Sequence, residues 1–305
     1  MPQSSEPEQH IVATAYSKRS RISRRAIGAA AAGSAVGGMI LALPQPAAFG
    51  EVSPAPLPQS PQPPGSPQPP PPVRQVRFYQ VDPQFLSYYV QVDGPRTLGG
   101  AISPLTTTVD GQPAQYFEKA RLENRTATNR SGNPAFNFEF GLLVDEMKAV
   151  RSLKPVGGEA STVTYDTLQT ESDVARREPP PAGFSGNVQV RADGSVFVPF
   201  TADLSPAPGH VVPSYFWEFM NRSDLFPGGW LHDIGLPITR ALPAVVDKGR
   251  IIGTQIIRVN GAPITIQAFQ RSILTYDPAN PEGFLTERAN TGTDYMSVFP
   301  ERVPQ

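Results

Sequence analysis

The chain has 305 residues, a formal net charge of −1 and no cysteine. The missing thiol excludes disulfides, Cys-ligated zinc, iron–sulfur clusters and a cysteine nucleophile together. The 36 prolines and 26 glycines predict many turns, short strands and some non-globular chain, and argue against a long helical bundle.

Residues 1–50 have the layout of a twin-arginine export signal. A basic front runs from Ser17 to Arg25 and ends in Arg24-Arg25. Behind it lies an uncharged stretch, Ala26 to Leu43, with seven Ala and four Gly among its 18 residues. Small residues around Ala48 and Gly50 then offer a cleavage site. That stretch is too weakly apolar for a good membrane anchor, which needs about 20 strongly apolar residues. The expectation is therefore a protein exported through the twin-arginine pathway to the cell envelope or beyond, touching membrane only if the signal is kept. Beyond residue 50 the chain carries 21 basic and 25 acidic residues. A mildly acidic body has no electrostatic footprint for a phosphate backbone, so no nucleic-acid partner is expected.

Residues 51–72 are expected to form a linker. Between Pro44 and Pro72 there are 13 prolines, interleaved with Gln, Ser and Ala, which favour extended polyproline II and prevent a core.

The remainder predicts an α+β fold of two related modules, 73–178 and 179–305, joined by a hairpin segment. Asp82-Pro83-Gln-Phe85-Leu86-Ser-Tyr-Tyr89-Val90 and Val212-Pro213-Ser-Tyr215-Phe216-Trp217-Glu218-Phe219-Met220 open alike. Each has a proline at the helix start and apolar residues on one helical face. Gly99-Gly-Ala-Ile102-Ser103 then faces Gly235-Leu-Pro-Ile238-Thr239, and Gln115-Tyr-Phe117 faces Gln267-Ala-Phe269. Asp110-Gly111 and Asn260-Gly261 are expected to turn a hairpin in each module. A third hairpin is expected around Asp193-Gly194, and Glu178-Pro-Pro-Pro-Ala182 marks the boundary. On these motifs the chain resembles tandem modules of uncharacterised exported bacterial proteins, and is distantly similar to LGFP-type cell-wall repeats. Ala101 departs from the pattern, which has proline there. The resemblance implies a surface or envelope role and brings no catalytic residue with it.

Catalytic signatures are sparse. Outside the signal the histidines are His210 and His232, too few for a His-rich metal centre. His232 and Asp233, being adjacent, would point to opposite faces of an extended chain. Gly183-Phe-Ser185-Gly186 lacks the second spacing of a G-x-S-x-G elbow. No G-x-x-x-x-G-K phosphate loop occurs. No catalytic residue, metal or cofactor is assigned. Paired carboxylates for glycoside hydrolysis stay open, since two acids need only spatial proximity; Glu118, Glu123, Glu218 and Asp233 are the candidates. Asp277-Pro-Ala-Asn280-Pro-Glu282 reads as a proline-set turn, short of the oxygens of a calcium loop.

Asp224 to Gly235 is the most informative stretch, because a Pro-Gly-Gly loop carrying Phe226, Trp230 and His232 is unusual. Trp230 either offers a face to a sugar or folds back on the helix at Phe216 and Phe219. The sequence thus points to an exported, non-enzymatic envelope protein that binds glycan or cell-wall material. Its expected binding residues are Trp230, His232, Asp233, Trp217 and Glu218. The alternative is an exported polysaccharide hydrolase using two carboxylates.

Overall fold

The computed structural model describes residues 76–252 and 255–304. The expected export signal and linker lie outside them. In chain order come helices α1 (Pro83–Gln91) and α2 (Gly94–Thr97), then strands β1 (Thr106–Thr107), β2 (Pro113–Tyr116), β3 (Arg121–Asn124) and β4 (Phe138–Phe140). Helices α3 (Leu143–Ala149) and α4 (Tyr165–Glu171) follow, then strands β5 (Gln189–Val190), β6 (Val196–Pro199) and β7 (Gly209–Val212). The last part holds α5 (Ser214–Met220), α6 (Trp230–Asp233), β8 (Leu242–Ile252), β9 (Gln255–Ala268), β10 (Ile273–Tyr276), β11 (Thr286–Arg288) and α7 (Thr291–Val298). Strands β1 to β4 and β8 to β11 form two antiparallel four-stranded sheets, each in sequential order, and β5 to β7 form a third sheet. Helices segregated from antiparallel meanders make this an α+β protein. Among the described residues no helix is long and apolar enough to cross a membrane.

Local chemistry explains the starts and turns. The Asp82 carboxylate accepts the Gln84 N–H at 3.1 Å, and Pro83 sits in the first turn of α1. Helix α5 begins one residue after Pro213, which makes no side-chain cap. The buried positions are Phe85 and Tyr88 in α1 and Phe216 and Phe219 in α5, so the two helices align one residue away from the pairing read in the sequence. The hairpin around Asp193-Gly194 forms, with Gly194 at φ 79°. Asp110-Gly111 lies in the loop between β1 and β2, closed by Thr108 and Gln112. The expected turn at Asn260-Gly261 is wrong. Both residues lie inside β9, where the register shifts between Val246 and Lys248 and the Gly261 N–H donates to the Asp247 carboxylate at 2.8 Å. With Gly261 at φ 66°, the dipeptide that would have made a turn makes a β-bulge instead.

The two four-stranded sheets share a set of corresponding hydrogen bonds. Gln115 donates from Nε2 to the carbonyls of Gln80 and Ser103, both at 2.9 Å, and Gln267 donates to those of Val211 and Thr239 at 3.0 and 2.9 Å. The Ser103 hydroxyl accepts the Tyr116 N–H at 3.0 Å, as the Thr239 hydroxyl accepts that of Ala268 at 3.1 Å. Glu118 accepts the Gly100 N–H, and Gln270 that of Leu236. The match breaks at one place. Gln115 Oε1 accepts the Asp82 N–H at 2.9 Å, but proline stands at the matching position 213. Having no N–H to give, it leaves the buried Gln267 Oε1 without a hydrogen-bond partner among the described residues.

The halves do not bury themselves separately. One apolar core joins Phe85, Leu98, Phe117 and Phe140 to Phe216, Phe226, Ile234 and Phe269. The other joins Ile102, Tyr116, Met147 and Tyr165 to Ile238, Ile264, Ile266 and Tyr295. Glu178 exchanges backbone hydrogen bonds with Gly209 at 2.8 Å in both directions, so the chain is stitched where the sequence suggested a boundary. Cross-contacts come in matched pairs: Arg271 Nη2 meets Glu139 at 2.5 Å while Lys119 meets Glu287 at 3.7 Å. Likewise the His232 ring stacks on Phe136 at 4.6 Å while the Arg96 guanidinium lies 5.1 Å over Phe284. This is the self-complementary pattern of a two-fold interface, within one chain.

Truncating either glutamine takes the donor from one buried carbonyl, Ser103 or Thr239, and one part-buried carbonyl, Gln80 or Val211, at roughly 1–3 kcal/mol per unsatisfied group. Urea unfolding should therefore show both Gln115→Ala and Gln267→Ala destabilised by about 2–4 kcal/mol. The former should be the larger loss, since it also strands the Asp82 N–H.

Candidate functional site

Helix α5 is anchored by Phe216, Phe219 and Met220, all buried, which leaves Trp217 half-buried and Glu218 exposed on the outer side. The following segment doubles back. Arg222 pairs with Asp224 at 2.5 Å, and Leu225 and Phe226 are buried, with Phe226 edge-on to Phe219 at 5.5 Å. Gly229, at φ 78°, then starts α6. This return places Trp230 beside Trp217, ring centroids 5.2 Å apart and planes at 56°. Both indoles keep part of their surface in solvent. Trp230 therefore packs on Trp217, and both indoles also lie against the apolar core that holds Phe216 and Phe219.

His232 and Asp233 lie on a helical turn, which overturns the expectation of opposite faces on an extended chain. His232 Nδ1 and Asp233 Oδ1 are 2.6 Å apart, and Asp233 Oδ2 accepts the Gly228 N–H at 2.9 Å. A Cβ at Gly228 would fall 2.4 Å from His232 Nδ1, so only glycine permits this approach. Both side chains are buried, and His232 Nε2 has no hydrogen-bond partner among the described residues. The dyad faces groups from the other half that no local signal in the sequence could reveal. Phe136 stacks on the imidazole. Burial, followed by the charge of Asp233, holds the Tyr88 hydroxyl well above the usual tyrosine range. Burial pulls the Arg288 guanidinium down to about 10 against the opposing effect of Tyr88 and Asp233. Arg288 donates to the Ser272 hydroxyl at 3.0 Å and the Thr97 carbonyl at 3.1 Å, and lies 4.2 Å over the Phe140 ring.

Beside this cluster runs a shallow groove of about 230 Å³, with Tyr88, Phe138 and Pro227 as apolar lining and Ser87, Gln91 and Asn137 as polar groups. Pro134 and Ala135, which flank Phe136, also line it. Of the expected binding residues, Trp217 and Trp230 come together, His232 and Asp233 form a buried pair on the same helix as Trp230, and Glu218 stands apart as an exposed carboxylate.

The carboxylates considered for hydrolysis have other partners. Glu118 accepts the Gly100 N–H at 2.7 Å, and Asp233 holds His232 and Gly228. Glu123, 3% exposed, is gripped by Arg121 at 2.8 Å and by Arg125. Asp277 sets the turn before Asn280, accepting the Ala279 N–H at 3.0 Å. Among the described residues no group of three or more His, Cys, Asp or Glu side chains is arranged to hold a metal ion.

Comparison with protein-family models, curated proteins and solved structures found no match.

Removing Asp233 strips the buried Gly228 N–H and His232 Nδ1 of their acceptor and Arg288 of a nearby anion. Each buried polar group left without its partner costs about 1–3 kcal/mol, so Asp233→Ala should lower the urea midpoint. Glu218→Ala should stay within about 0.5 kcal/mol.

His210, on β7, is fully buried. Desolvation, followed by the charge of Arg177, lowers its pKa from 6.5 to about 4. An unfolded chain would take up this proton at higher pH than the folded one. The neutral imidazole thus contributes stability above about pH 6.5 that is lost as pH falls toward 4, about 3 kcal/mol in all. The stability difference between the parent and His210→Leu, followed from pH 7 to 4, should narrow or reverse by that order.

Proposed function

We propose that the chain is an exported, tethered binding protein of the cell envelope that holds glycan or cell-wall material through Trp217 and Trp230, without catalysing a reaction. The observation that carries this reading is the aromatic pair, two half-buried indoles tilted 56° to each other on a surface return whose geometry is fixed by buried Phe219, Phe226 and Gly228. Indole faces stack on the apolar side of sugar rings, while neighbouring polar groups orient the hydroxyls. Glu218, which follows Trp217 in the chain, is an exposed carboxylate on the same helix. The location follows from the sequence of residues 1–50, with a twin-arginine front and a small-residue end. The motif likeness to LGFP-type cell-wall repeats points the same way. Against the hydrolase reading stand the hydrogen bonds and ion pairs that occupy Glu118, Glu123 and Asp233.

The matching hydrogen bonds in the two sheets are best read as two copies of one unit fused in a single chain. Only the second copy carries the pair: Leu86 stands where the second has Trp217, and Gly94 where it has Trp230. One ligand site per chain follows.

Retention of the full chain on isolated cell-wall polysaccharide tests the reading. Trp217→Ala and Trp230→Ala should each weaken retention about two- to tenfold, an aromatic contact being worth about 0.5–1.5 kcal/mol. Saturation should come at one ligand per chain. Unchanged retention in both variants, or none in the parent, overturns the proposal.

A further inference from the structure

The groove beside the His232–Asp233 dyad carries no charge. It is lined by Ser87 and Gln91 from α1, Asn137 and Phe138 from the entry to β4, and Pro227 from the return into α6, and by no Asp, Glu, Lys or Arg. Ser87 and Gln91 are exposed, and their side chains make no hydrogen bond among the described residues. Asn137 accepts an N–H of the Asn129 amide on Oδ1 at 2.8 Å, which leaves its own amide N–H groups free among the described residues. Phe138 is braced by Tyr88 at 4.7 Å and Phe85 at 6.0 Å between ring centroids, and keeps part of its ring in solvent. An aromatic face flanked by neutral donors and acceptors suits a sugar ring, whose C–H side lies on the aromatic while its hydroxyls meet the amides. The groove measures about 230 Å³, below the about 300–1,000 Å³ that encloses a drug-sized ligand. It has room for a single ring.

The groove is not a by-product of the internal repeat. With Phe85 matching Phe216, the second half has Glu218 in place of Ser87 and Arg222 in place of Gln91, and Arg222 is held by Asp224 at 2.5 Å. Leu122 pairs with Phe140 as Leu274 pairs with Arg288, which puts Thr286 where the first half has Phe138. The matching positions of the second half are therefore charged and lack the aromatic. The groove also adjoins the indoles. Pro227 and Trp230 are three residues apart, so their Cα atoms lie within about 11 Å of each other. Helix α6, which carries Trp230, packs on β4, which carries Phe138.

We propose that the groove is a second subsite for the ligand of the indole pair, and that this ligand is a neutral polysaccharide. Its chain runs from Trp217 and Trp230 past Pro227 to a further sugar ring seated on Phe138, with Ser87, Gln91 and Asn137 meeting the hydroxyls. This rests on the reading of Trp217 and Trp230 as a glycan-binding pair.

Titration of the full chain with neutral oligosaccharides released from isolated cell-wall polysaccharide, graded in length from a single sugar upward, provides the test. Parent affinity should rise with length and then level off. Ser87→Ala with Gln91→Ala changes two exposed positions where truncation costs the fold little. This double variant should bind the single sugar, held by the indoles, as the parent does. It should bind the long oligosaccharides about four- to hundredfold more weakly, at two- to tenfold per lost hydrogen bond. Added salt should change neither affinity, since no charge is involved. A double variant equal to the parent at every length overturns the proposal, as does an equal loss for single sugar and long chain, or binding that falls with salt. Trp217→Ala and Trp230→Ala, titrated alongside, separate the two failures. Weakening by the indole variants with none by the groove variant sinks the second subsite alone. Weakening by the groove variant alone sinks the indole reading, and the two-subsite proposal with it.

Discussion

Neither four-stranded sheet of this protein encloses a core of its own, and the remaining architecture depends on that constraint. Phe140 and Leu274, from different sheets, share one apolar cluster, and Tyr116 and Tyr295 stack at 5.7 Å in the other. With no disulfide to hold the chain, burial of these faces against each other is the main source of stability. The matched polar contacts, Arg271 with Glu139 and Lys119 with Glu287, add less net energy, because each charge gives up water to make them. Their effect is to fix the one docking in which every buried cation meets an oxygen.

The buried glutamines do the same work within each sheet. Gln115 and Gln267 tie a strand to the segment before the neighbouring helix, through backbone carbonyls that would otherwise be orphaned. They make register costly to change. The exception at Pro213 shows how local this logic is: one missing N–H leaves one amide oxygen without its counterpart while the rest of the clamp persists.

Because the interior is committed to holding the halves together, the part free to do something else lies outside it. It is the return from α5 to α6, where Phe226 is buried and the two indoles are left at the surface. Its buried underside, His232 with Asp233, contacts Phe136 from the other half, so the return is braced by the same interface that closes the molecule.

Much of the local structure was legible in the sequence. Pro83 with Asp82 fixed a helix start, Asp193-Gly194 a hairpin, and the spacing of Gln115 and Gln267 behind Ser103 and Thr239 showed matched positions, since each depends on residues close in the chain. The helix openings at Pro83 and Pro213 together with the hairpin motifs set the α+β class. The sequence misled where a local signal met a non-local demand: Asn260-Gly261 has the residues of a tight turn but became a bulge, because β9 pairs along its whole length with β8. It could not show that His232 and Asp233 bond to each other, since that depended on a helical turn beginning at Gly229. Nor could it bring Tyr88, Phe136 and Arg288 to that pair from segments distant in the chain. Those neighbours follow from the packing of one half on the other, a choice made by burial over the whole molecule and not written in any stretch of it.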